Sequence, residues 1–209
     1  MNYRRVSDAN GESFRQALTI YRQSFPDNER HRDMVIAERV DAGFYQLWIG
    51  EDTAGVAMFA LLHELTETGF FLLDYIALRR DARGGGAGSL FCSHLIERIF
   101  AGGKRLLLEV EDPEFGDNHG ERVRRLNFYR KLGARELLGV PYKMPPLASG
   151  APTEMLLLLA PVGGTSSLAG ALVRGLIVQI YEELYQRDAR DELLLSILHK
   201  VPETILVAA

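Results

Sequence analysis

Residues 79–91 read RRDARGGGAGSLF, with glycine at 84, 85, 86 and 88. Inside a helix or strand each glycine costs roughly 0.5–1 kcal/mol relative to alanine, so this density marks a backbone that must turn or be approached closely. The run stands between an apolar stretch ending near Leu78 and a helical pattern beginning near Ser89. At such a junction the first N–H groups of the helix lack intrahelical acceptors, and together with the helix dipole they attract phosphate. Each hydrogen bond to a charged oxygen contributes about 1.5–3 kcal/mol. Two familiar phosphate loops are excluded by spelling. A Walker loop needs Gly-Lys followed by Ser or Thr, whereas Gly88 is followed by Ser89 and Leu90; a dinucleotide fingerprint starting at Gly84 needs glycine at 89. A flexible surface turn is the alternative without a ligand.

The flanking pattern is mixed. Residues 2–6 read as a short strand, and Phe14, Leu18, Tyr21 and Phe25 recur at helical spacing until Pro26. A more polar helix is expected over 28–43, stopped by Gly43. Two strands turning at Glu51–Thr53 follow, and a third ends in LDYIAL after a turn at Thr66–Thr68. Beyond the glycine run come a helix closed by Gly102 and Gly103, the strand KRLLLEVE, a loop with Pro113, Gly116 and Gly120, and the helix RVRRLNFYRKLG. Strand, helix and strand in that order predict a crossover unit. Extended segments around Tyr142 and TEMLLLLAP close this part.

After Pro161 the composition changes. VGGTSS reads as a linker, Leu168, Leu172, Leu176, Ile180 and Leu184 recur every fourth residue as a helical stripe, and a second helix is expected over 192–200. The chain thus divides into residues 1–162 and a helical extension, 163–209, that serves packing or dimerisation or acts as a lid. A homodimer is one outcome.

With 47% apolar residues among 209 the chain can bury a sizeable core, and a net charge of −4 argues against a nucleic-acid partner. No signal-peptide pattern stands at the N-terminus, and Arg174 and Gln179 interrupt the apolar C-terminal stretch. No membrane association and a cytoplasmic location are the expectation. Cys92 is the single cysteine, which excludes an internal disulfide, and the five histidines show no ligand spacing, so no metal is expected.

Arg83, Gly86 and Gly88 fit the pattern Arg/Gln-x-x-Gly-x-Gly/Ala, and the segment resembles the acyl-CoA loop of the GNAT superfamily of N-acyltransferases. LDYIALRRDARGGGAGSLF is similar to that family's fourth strand, loop and third helix, and RLNFYRKLGARE to its later motif with Tyr129 and Gly133. The resemblance covers about three quarters of the chain by the order of elements. It implies an α/β (α+β) fold, a mixed, mostly antiparallel twisted sheet flanked by helices, here with the helical C-terminal extension. It further implies acetyl-CoA as co-substrate, held through Arg83, Gly84, Gly85, Gly86, Ala87, Gly88 and Ser89, with Ile76, Ala77 and Leu78 facing the thioester and pantetheine. Many relatives carry Asn seven residues before the tyrosine, where this chain has Arg122.

The implied activity is transfer of an acetyl group to a primary amine, on a small molecule or a peptide. Tyr129 matches the tyrosine that faces the CoA sulfur as general acid; otherwise it packs beside Phe128. Glu109 and Glu111 alternate with Val110, so both carboxylates point to one face, either lining a cleft or solvated at a strand end. Glu109 is the candidate base, with Asp74 on the neighbouring strand as the second. The acceptor pocket is expected from SFPDNER and GVPYKMPP, including Glu29 and Tyr142, with Glu111. The alternative is a non-catalytic acyl-CoA-binding or assembly module that uses its C-terminal helices as a partner surface.

Overall fold

The computed structural model describes residues 1–147 and 150–209, with the side chain of Asn28 outside the described set. Ten strands and six α-helices are described: β1 Asn2–Val6, α1 Glu12–Ser24, α2 Asp33–Asp41, β2 Tyr45–Asp52, β3 Gly55–Leu65, β4 Phe70–Leu78, α3 Ala87–Ala101, β5 Arg105–Glu111, α4 His119–Lys131, β6 Arg135–Glu136, β7 Lys143–Met144, β8 Thr153–Ala160, β9 Ser167–Ala169, α5 Gly170–Gln179, α6 Glu192–Leu198 and β10 Thr204–Leu206. The main sheet runs β1-β2-β3-β4-β5-β8-β6, with β7 also on β8. All its pairings are antiparallel except β4 with β5, the two strands that α3 connects.

Apolar residues cover both faces of this sheet. On one face Phe14, Ile20 and Tyr21 of α1 and Ile36 and Val40 of α2 pack with Leu47, Phe59, Leu61, Leu72 and Leu107. On the other, Phe91, Cys92, Leu95 and Ile99 of α3 and Leu126 and Tyr129 of α4 pack with Leu62, Leu73, Leu108, Val110 and Leu158. Near-continuous apolar runs such as FFLL and RLLLEV follow from burial on both sides.

The residues after Pro161 join the first of these cores: Val173, Leu176, Ile177, Ile180, Tyr181, Leu184, Leu194 and Ile197 pack with the α1 and α2 side of the sheet. Two expectations need correction here. Leu168 does not begin the helical stripe; it lies in β9, paired with Ile205 of β10, and three residues of strand carry too little periodicity to read. The helix does not continue as α-helix to Leu184 either. Ile180–Leu184 forms a π-helical turn, in which Tyr185 N–H bonds the Ile180 carbonyl. Apolar residues at every fourth position outrun a 3.6-residue turn, and one wider turn keeps Leu176, Ile180 and Leu184 on the buried side. The polar second helix also starts later than expected, at Asp33 after a short 3₁₀ turn, and α4 starts earlier, at His119.

Gly170 locks α5 onto the chain's end: its N–H donates to the Glu203 carbonyl at 2.7 Å, and a Cβ there would stand 1.9 Å from the Pro202 carbonyl oxygen. Gly175, in the same helix, has open space around it. We therefore expect Gly170→Ala to lower unfolding free energy by about 1–3 kcal/mol and Gly175→Ala to raise it by about 0.5–1 kcal/mol, read as opposite shifts of the urea midpoint.

Candidate active site

The parallel pairing of β4 with β5 runs from Phe70 and Arg105 to Leu73 and Leu108 and stops there. Beyond that point β4 stays with β3 as far as Leu78, and β5 stays with β8 as far as Glu111, so the two strands part into an opening. The cause is a β-bulge. Leu61 faces Tyr75 and Leu62 faces Leu73, which leaves Asp74 as the extra residue of β4.

The opening exposes backbone donors. Arg79 N–H bonds the Ala57 carbonyl of β3, so by strand alternation the N–H groups of Tyr75 and Ala77 also face β3, and those of Ile76 and Leu78 face the opening. Of the three residues expected there, Ala77 therefore turns its N–H away. Arg83 donates from Nε and Nη2 to the Leu78 carbonyl, at 3.2 and 3.1 Å, and so folds the glycine loop back over the strand end. Gly84 and Gly86 have φ of 92° and 78°, a left-handed conformation that explains two of the four glycines. Gly88 lies inside the first turn of α3, where a Cβ would crowd Leu78. The first intrahelical bond runs from Leu90 N–H to the Gly86 carbonyl, which leaves Ala87, Gly88 and Ser89 N–H without a partner among the described residues. No acidic residue occupies that turn.

Two carboxyl groups stand at the parting of the strands, on the face opposite α3 and α4. Asp74 Oδ2 accepts a hydrogen bond from Tyr45, whose hydroxyl also receives Arg39 Nη1 at 2.9 Å. Glu109 Oε1 accepts from Tyr142, and the Tyr185 hydroxyl lies 3.0 Å from Oε1 and 2.9 Å from Oε2. Both acids are half-buried. Burial pushes Asp74 up to about 6 against the pull of Tyr45 and Arg39. Burial, reinforced by Asp74, pushes Glu109 up to about 7 against its two tyrosines. No cation reaches Glu109 among the described residues.

A second polar cluster abuts the first. His63, only 4% exposed, directs Nδ1 to the Phe44 carbonyl at 3.1 Å and Nε2 to Glu183 Oε2 at 2.5 Å, and its ring stacks on Phe44 at 4.1 Å. Arg39 Nη2 donates to the Leu184 carbonyl at 3.2 Å, which joins α2 to the π-helical turn.

The other expected site residues fall as follows. Tyr142 is buried and donates to Glu109. Glu111 shares the face of its strand with Glu109 but not its surroundings: Arg122 and Arg125 of α4 hold its carboxylate at the strand end. Glu29 is exposed, and only its backbone carbonyl takes part, accepting from Tyr75 at 3.2 Å. Tyr129 is buried on the opposite face, edge-on to Phe128 at 5.1 Å, and burial pushes its phenol up. The sheet separates it from Glu109 and Asp74 except where β4 and β5 part. Arg122 bonds the Asp112 and Phe115 carbonyls and fixes the loop before α4. Nothing in the sequence marked Tyr45, Arg39, Glu183 and Tyr185, since each sits in an ordinary strand or helix pattern, whereas His63 was legible as a polar residue on an apolar strand.

Residues 12–134 match the model of the acetyltransferase (GNAT) family. The chain belongs to this family. Over 89 residues it is 32% identical to YjbC of Bacillus subtilis, a candidate acetyltransferase, in a match covering 43% of each protein. A 28% identical match over 101 residues to an uncharacterized protein of Dictyostelium discoideum covers 48% of this chain and 23% of that one. The chain spans less than half the length of these curated relatives. Among solved structures, a candidate GNAT acetyltransferase of Bacteroides thetaiotaomicron superposes with a TM-score of 0.72 at 20% identity, covering 90% of this chain and all of that one. An aminoglycoside 6′-N-acetyltransferase complexed with coenzyme A superposes with a TM-score of 0.58 at 15% identity, covering 76% and 96%. At these identities the likeness shows the fold. Coverage of 90% also requires part of the segment after Pro161, so the Bacteroides GNAT protein shares it.

Because Glu109 titrates near 7 when folded, against an ordinary 4.5, folding disfavours its charged form. The associated stability is fully present below pH 4.5 and is lost as pH rises through about 7. Glu109→Gln removes this dependence. Its urea midpoint relative to the native chain should climb between pH 5 and 7 and level off above; a flat difference would contradict the burial argument.

Proposed function

We propose that this chain is an N-acetyltransferase that moves the acetyl group of acetyl-CoA to a primary amine by direct attack. The observation that carries this reading is the parting of β4 and β5, with free backbone donors at its glycine-loop end and two half-buried carboxyl groups on one side. Free N–H groups at the start of α3, in a turn without carboxylates, fit a pyrophosphate. Ile76 and Leu78 N–H fit the amide and carbonyl oxygens of an extended pantetheine lying beside β4.

Acetyl-CoA supplies an acetyl group activated as a thioester. The acceptor nitrogen bonds the carbonyl carbon, the carbon–sulfur bond breaks, and the nitrogen's proton and the thiolate's charge must both be dealt with; the products are an amide and free CoA thiol. At pH 7 a lysine-like amine costs roughly 4–5 kcal/mol to deprotonate, which makes a matched base valuable. Glu109, poised near neutrality, takes that proton directly or through one water. Asp74 adds negative charge where the ammonium form would first bind. Tyr129, on the other face of the opening, is kept protonated by burial and delivers its phenolic proton to the departing sulfur. The two acids beside the opening favour a cationic acceptor over a neutral or acidic one.

Calorimetry should give micromolar binding of acetyl-CoA to the native chain and none to Gly86→Glu, whose side chain opposes both the backbone conformation and the phosphate charge. With a panel of small amines and lysine peptides, Glu109→Gln and Tyr129→Phe should each lower turnover about 10²-fold or more while leaving acetyl-CoA binding unchanged. Absence of binding, or binding without transfer to any amine, would overturn the reading.

A further inference from the structure

The π-helical turn Ile180–Leu184 and the residue after it touch the candidate site at four points. Tyr185 reaches both oxygens of Glu109, at 3.0 and 2.9 Å. Glu183 meets His63 Nε2 at 2.5 Å. The Leu184 carbonyl accepts from Arg39, which in turn donates to the Tyr45 hydroxyl that holds Asp74. Tyr181 donates to the Lys143 carbonyl, beside the Tyr142 that also holds Glu109. A π turn is uncommon in a helix and recurs where side chains must be aimed at a site. Here one contact, from Tyr185, reaches Glu109 itself, and the other three bind the residues around the acid pair, all from a segment outside the family match, which ends at residue 134.

We propose that Tyr185 is a positioning residue of the acetyl-transfer site, so that the C-terminal segment, rather than the family domain alone, sets the orientation and ionisation of Glu109. This rests on the reading of Glu109 as the base. One hydroxyl proton lies between the two carboxylate oxygens, an arrangement that fixes the carboxylate plane and favours the charged form. The groups facing Glu109 are few: Asp74 from β4, Tyr142 from the segment before β7, Tyr181 from the turn and Tyr185 directly after it. Tyr142 and Tyr185 are the hydrogen-bond donors among them, and Asp74 opposes ionisation. Tyr185 thereby acts with Tyr142, the stronger of the two donors, to favour the charged form of Glu109 in a site where burial favours the protonated one.

The test is a ¹³C NMR titration of the glutamate side-chain carboxyls in the full chain, with the Glu109 signal identified by its loss in Glu109→Gln. Tyr185→Phe should move the Glu109 titration up by about one pH unit, the size expected for one lost charge-assisted bond. Tyr181→Phe, in the same turn but bonded elsewhere, should leave it within about a quarter of that. No movement in Tyr185→Phe, or equal movement in both variants, would overturn the proposal, and thermal melts confirm that each variant is folded. With an accepted amine in hand, the acid limb of kcat/KM should follow the same upward move in Tyr185→Phe, with KM for acetyl-CoA unchanged. If the native chain transfers acetyl to no amine, the functional reading fails while the carboxyl titration still decides the role of Tyr185.

Discussion

The bulge at Asp74 is the constraint on which the rest depends. One extra residue in β4 ends its pairing with β5 after Leu73 and Leu108, although each strand continues against its other neighbour. A regular ladder would have consumed the backbone groups of Ile76 and Leu78 and closed the sheet. Instead those groups face a gap, and both acids stand beside it. The arrangement has an energetic cost, because unpaired backbone and half-buried carboxyls are unfavourable in a finished fold. Such a cost is sustained where a ligand later supplies the missing partners.

The apolar majority of the molecule makes this possible. Cores on both faces hold β3, β4 and β5 rigid up to the parting point. The segment after Pro161 is part of that arrangement: its apolar side joins the core with α1 and α2, and its polar side supplies Tyr185 and Glu183. Tyrosine recurs around the acids for a physical reason. A phenol can be buried at low cost and still present a donor to a carboxylate, whereas an arginine or lysine there would hold the acid permanently charged and occupied.

The sequence carried much of the fold because its signals were local. Glycine density, the Pro26 and Gly102–Gly103 stops, and alternating or helical apolar runs sufficed for the order from β1 to α4, five strands and four helices. Glu109 and Asp74 were legible as acids on apolar strands, and Tyr142 only through the place where the family resemblance puts the acceptor pocket. Their partners were not. Tyr45 and Arg39 fit unremarkable patterns, and Tyr185 lies 76 residues from Glu109 in sequence, so only the tertiary fold brings them together. The bulge was equally hidden, since FFLLDYIAL reads the same with or without an extra residue. Glu111 misled because strand alternation fixes a face but not a neighbour, and Arg122 and Arg125 of α4 reach the strand end first.

The central claim is that the parted strands and the glycine loop present backbone N–H groups to an acyl-CoA. It is tested most directly by amide NMR of the uniformly ¹⁵N-labelled chain titrated with acetyl-CoA. The account predicts the largest shifts at Gly84–Ser89 and at Ile76 and Leu78, with Ala77, whose N–H is bonded to β3, moving less than its two neighbours. Saturable shifts confined to another surface, or none at millimolar acetyl-CoA, would contradict it.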